Sequence, residues 1–213
     1  MLDYKELAKE INKALDVKDK DGQPIETTPE MEAYAKAILT ITAATTTHLP
    51  ETVKGTTAAG APLVGGEATN GLILGLTPGP WLGEMMSGFP TANPGALAKE
   101  AAVSTGYITG AAKINFAPGN ITGNCTSTPV SPGPLVMGAG QKGTVDELDG
   151  SAWAQLASPP TGDPALAEKV YKAICKYIKK NAEVTYLPNT VIGTCPAAAG
   201  PMTLGAATGG MIS

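Results

Sequence analysis

The chain has 213 residues, 43% of them hydrophobic but only 5% aromatic, with 26 glycines and 18 prolines. That apolar content separates it from disordered chains, while a net charge of -4 and fifteen basic residues that are all lysine weigh against nucleic-acid or nucleotide recognition, where arginine is the usual bidentate partner. No apolar run reaches the roughly 18–20 residues of a membrane helix, and MLDYKELAKEINKAL lacks a basic-then-apolar leader, so neither a membrane span nor a signal peptide is expected.

Residues 2–15 predict a short helix with Leu7, Ile11, Ala14 and Leu15 on one face. The next stretch, VKDKDGQPIETT, has Asp19, Asp21 and Gly22 where a calcium loop needs them. Val17 and Thr28 occupy two ligand positions, however, so a solvated turn is expected. Thr28-Pro29 is a helix start signal, since a capping hydroxyl serves orphan amides and proline at the first position loses no hydrogen bond. The helix that follows uses Met31, Tyr34, Ile38 and Ile41 as its apolar side. The single histidine, His48, comes after it. With no second histidine and no cysteine or serine in a recognisable arrangement, it is expected at a helix end or on the surface, not in a catalytic or zinc site.

A Gly/Pro/Thr-rich stretch, GTTAAGAPLVGGEATNG, ends this first part. A weak helix at residues 80–87 carries Trp81, and Asn93-Pro94 then starts a longer one using Leu97, Ala101, Ile108 and Ala111. Gly106 and Gly110 interrupt that helix four residues apart, which signals either a close backbone approach or a plain propensity defect. Another Gly-rich stretch, GNCTSTPVSPGPLVMGAG, follows; its continuation GAGQKGT has the composition of a phosphate loop but not the Gly-Lys-Ser/Thr order. Residues 145–157 predict a third short helix with Trp153. Asp163-Pro164 opens the clearest helix of the chain, where Ala167, Val170, Tyr171, Ile174, Cys175 and Ile178 form one stripe and Lys169, Lys172, Lys176, Lys179 and Lys180 form a solvated face. The chain closes on GTCPAAAGPMTLGAATGG.

These parts recur in register. Trp81 matches Trp153, Pro94 matches Pro164, with Pro29 in the same place, and Leu49-Pro50, Ala117-Pro118 and Leu187-Pro188 each open a Gly-rich stretch. The chain therefore reads as three tandem repeats, 1–75, 76–144 and 145–213, each with two helices and a Gly/Pro-rich segment. The expected fold class is α+β, mainly helical, with strands too short and too interrupted by proline to make a large sheet alone; they should pair with strands of another repeat or another chain. Cys125 and Cys195 occupy one repeat position where the first repeat has Thr57, which favours a small packing residue over a disulfide or metal ligand.

The long helix AEKVYKAICKYIKKNAEVT leading into VIGTCPAAAGPMTLGAATGG resembles modules of virion structural proteins of tailed bacteriophages. The resemblance implies a noncatalytic part of the tail, neck, baseplate or head decoration, located in the virion after synthesis in the host cytoplasm. Its partners would be other virion proteins and copies of itself in a homo-oligomer, with no nucleic acid and no membrane. No catalytic, cofactor-binding or metal-binding residue is expected, and no cofactor. The alternative is a cellular scaffold or cell-surface module whose Gly/Pro segments form a groove anchored by Trp81 and Trp153.

Overall fold

The computed structural model describes residues 2–42, 46–47, 53–57, 62–74, 76–90, 92–126, 132–157, 163–195, 200–201 and 203–213. The fold is mixed α+β. In chain order the elements are α1 (Tyr4–Leu15), α2 (Pro29–Thr42), β1 (Thr46–Thr47), β2 (Val53–Thr57), β3 (Val64–Ile73), α3 (Pro78–Gly88), α4 (Pro94–Ala111), β4 (Lys113–Cys125), β5 (Gly133–Asp146), α5 (Gly150–Leu156), α6 (Pro164–Asn181), β6 (Val184–Cys195), β7 (Gly200–Pro201) and β8 (Thr203–Ile212). Two compact units alternate along the chain. Among the described residues, the six helices lie in one (Met1–Ala43, Leu76–Ala111 and Glu147–Ala182), and the strands lie in the other (Ala44–Gly75, Ala112–Asp146 and Glu183–Ser213). The chain passes from the strand unit to the helical unit after residues 75 and 146, close to the expected repeat boundaries.

Helix starts follow the predicted chemistry. Thr28 Oγ1 accepts from the Met31 amide, Asn93 Oδ1 from Gly95, and Asp163 Oδ1 from Ala165, each directly before the proline that begins its helix. The α6 stripe from Ala167 to Ile178 is buried as its spacing requires. Gly106 and Gly110 have open space where a side chain would begin, so no backbone packs against them and the propensity reading holds. The helical core is aromatic at two places. Trp153 is stacked between Tyr107 and Tyr171, with ring centroids 4.9 Å apart on each side, and Trp81 and Tyr34 meet in a T-shaped pair with centroids 6.3 Å apart.

In the strand unit the expectation of short, broken strands is corrected. β3, β4, β5, β6 and β8 run 10–14 residues and pair antiparallel in that order. β1 and β2 each pair with both β3 and β8, which closes the sheet on itself. Proline is tolerated because it falls where the ladder slips: Pro118 lies within the register shift between Asn115 and Ile121, and Pro188 within that between Tyr186 and Val191. Gly119 and Asn189, each directly after its proline, take positive φ values of 90° and 68°.

The interior side of the sheet is built from Ile114, Phe116, Ile121, Leu135, Val145, Val184, Tyr186 and Val191, all buried. Glycine makes room for the largest of them: a Cβ on Gly143 would lie 2.6 Å from Phe116 Cζ, and one on Gly140 2.9 Å from Phe116 Cε1. Gly140 and Gly143 thus belong to an ordered strand, β5, and their missing side chains admit Phe116, whose ring lies 4.9 Å from that of Tyr186. The packing-only reading of the cysteines is also corrected. Cys125 and Cys195, at the ends of β4 and β6, form a disulfide with Cα atoms 5.9 Å apart. A small buried residue and a disulfide half look alike in sequence, and only the pairing of both strands with β5 brings these two together.

Candidate functional site

The motifs set aside in the sequence have local structural explanations. GAGQKGT lies inside strand β5, not in a loop before a helix. In the segment resembling a calcium loop, Asp19 Oδ1 accepts from the amides of Asp21 and Gln23, so its carboxylate is used to hold the turn. No group of three or more candidate metal ligands occurs among the described residues. His48 lies outside the described residues. Trp81 and Trp153 are fully buried, so neither is a surface anchor. Burial pushes the Cys175 thiol up to about 12, which keeps it protonated and a poor nucleophile at neutral pH.

A cavity of about 740 Å³ opens beside α5 and α6, where Lys172, Lys176, Lys179 and Lys180 face Glu147 and Asp149. Both signs of charge meet there, and the lysines belong to the solvated face expected of α6.

The second cavity, of about 440 Å³, is the candidate site. It lies in the helical unit between α2, α3 and the start of α4, walled by Met31, Trp81, Met85, Phe89, Leu97 and Val170. Two acidic residues, Glu30 and Glu100, also line it, and no lysine does among the described residues.

Glu100 is only 7% exposed. Its Oε1 accepts hydrogen bonds from Tyr171 Oη and, at 3.4 Å, from Ser104 Oγ, while its Oε2 is buried with no hydrogen-bond partner. Burial raises its pKa above the ordinary 4.5, against the opposing effect of the hydrogen bonds from Tyr171 and Ser104. Burial likewise raises the pKa values of Tyr34 and Tyr171, and the Glu100 carboxylate adds to both shifts. Trp81 Nε1 is a second buried polar atom on the cavity lining without a hydrogen-bond partner.

This arrangement couples Glu100 to stability. Below about pH 4.5 the carboxyl is protonated in both folded and unfolded chains. As pH rises, the unfolded chain releases the proton first, so stability falls until the folded carboxyl also ionises. Glu100→Gln, which keeps an acceptor for Tyr171, is expected to raise stability at pH 7 and flatten this decline. Urea unfolding from pH 4 to 8 checks it.

The sequence did not single out Glu100, because a lone glutamate amid alanines in PGALAKEAAVSTGYITGA looks like a solvated position. The available signal was its place on the same helical face as Ser104 and Ile108, at spacings of four and eight. No protein-family model matches the chain, and neither a curated protein nor a solved structure matches it.

Proposed function

We propose that the chain is a noncatalytic structural protein of a phage particle, made of three tandem segments (1–75, 76–144 and 145–213) that together do what a trimer of single segments would do. The observation that carries this reading is a repeated fastening between helices. Tyr177 accepts the Asp3 amide and donates to the Asp3 carbonyl, both at 2.8 Å; Tyr107 does the same to Asp149, both at 2.7 Å.

Each tyrosine lies four residues before the end of its long helix, α6 or α4, and each aspartate is the N-cap of a short helix, α1 or α5. The second of these bonds joins the middle segment to the third, and the first returns from the third segment to the start of the chain. Segments that hand their stability on in this way behave as building blocks, because each short helix is fixed by a sibling's long one. The closed sheet supports the same reading: β3 pairs with β4, β5 with β6 and β8 with β1, each time across a segment boundary. Placement in the particle's tail, neck, baseplate or head decoration rests on the resemblance of the helix-to-Gly/Thr pattern, and the expected partners are other virion proteins and copies of the chain.

Tyr107→Phe and Tyr177→Phe should each cost about 1–2 kcal/mol, since each leaves an N-cap amide and carbonyl without their partner. The double variant should be additive, because the two fastenings involve different helices. Chemical denaturation of all three variants measures it. The proposed role itself is tested by native mass and electron microscopy of the purified protein with and without particle components. A 21.5 kDa monomer that joins neither itself nor any particle would overturn it.

A further inference from the structure

We infer that the cavity between α2, α3 and α4 is a binding site for a small lipophilic amine, whose ammonium group pairs with Glu100 while its apolar body lies against Trp81, Met85 and Phe89. The inference does not depend on the proposed assembly role. A volume of about 440 Å³ with mostly apolar walls and few polar groups is what small-molecule sites present. Glu100, 7% exposed, is one of the lining residues; one of its carboxyl oxygens is engaged by Tyr171 and Ser104, and the other, Oε2, is covered and without a hydrogen-bond partner, so the ammonium reaches it by a small shift of the side chain. A buried carboxyl of this kind is costly to ionise alone and is relieved by a cation at hydrogen-bond distance.

The sign of the ligand follows from the lining. Among the described residues the two charged ones on it are both glutamates, so an anion would be repelled. A metal ion needs about six oxygen ligands, and the apolar walls cannot provide them. An organic ammonium satisfies Glu100 with one or two hydrogen bonds and gains from the nearby aromatic side chains Trp81, Tyr34 and Phe89.

The test titrates the full chain with phenethylammonium chloride and with phenethyl alcohol, its neutral counterpart, following tryptophan fluorescence and heat. Phenethylammonium is expected to bind at least about tenfold more tightly than the alcohol, the effect of one charge-assisted hydrogen bond. In Glu100→Gln that preference disappears. In Ala96→Phe, which fills the cavity from an exposed lining position on α4, binding of both compounds is lost while the circular dichroism of the folded chain is retained. The inference is overturned if phenethylammonium does not bind saturably, if the alcohol binds as tightly, if the preference survives in Glu100→Gln, or if binding survives in Ala96→Phe.

Discussion

Breaking the disulfide between Cys125 and Cys195, by reduction or by Cys195→Ser, is expected to lower stability by about 4 kcal/mol. The bond closes a loop spanning 70 residues, and the chain-entropy relation for a loop of that length gives this value. At about 2–4 °C per kcal/mol for a chain of this size, the unfolding midpoint should fall by about 10 °C. The loop it closes contains β5, α5 and α6, so the gain is spread over elements of both units. Calorimetry with and without reductant measures the shift. The same shift should appear in Cys175→Ala, because Cys175 is a free, buried thiol and takes no part in the bond. An unchanged midpoint on reduction would show that the linkage does not contribute.

Gly150→Ala is expected to cost about 3 kcal/mol, the upper part of the usual range for overpacking. A Cβ on Gly150 would stand 2.5 Å from Lys172 Cα and 2.6 Å from the Tyr171 carbonyl carbon, and these are backbone atoms of α6 that no rotamer change can move aside. Relief requires α5 to lift away from α6. That movement would also disturb Trp153, which is held between Tyr107 and Tyr171. A loss of near-ultraviolet circular dichroism together with a midpoint lowered by about 6–12 °C is the expected signature. Gly83, with open space where its side chain would begin, is the matched control: Gly83→Ala should be neutral or slightly stabilising, as expected inside a helix.

The helices were legible in the sequence and the sheet was not, for different physical reasons. A helix is announced locally, by Thr28-Pro29, Asn93-Pro94 and Asp163-Pro164 at the start and by apolar spacing along α6, and those signals act within one or two turns. The long strands depend on distant partners. Gly140 and Gly143 read as part of a stretch with phosphate-loop composition until Phe116, more than twenty residues earlier, is placed beside them. Pro118 and Pro188 read as the openings of Gly-rich stretches until the ladder is seen to slip at those positions. The disulfide was hidden in the same way, since its two halves meet only through the pairing of β5 with β4 and β6. The candidate site was the least legible part: Glu100 gains its character from burial beside Tyr171, a neighbour 71 positions away.

The fastening of tyrosine to N-cap occurs twice, and the third place is different. Ile38 stands four residues before the end of α2, where α4 and α6 have tyrosine, and Thr77 before α3 makes no side-chain cap. The Lys36–Glu84 ion pair at 2.9 Å and the meeting of Tyr34 with Trp81 join α2 to α3 instead. The joint between α2 and α3 thus depends on a partly exposed charge pair that salt screens, whereas the two tyrosine fastenings are neutral hydrogen bonds that salt leaves in place.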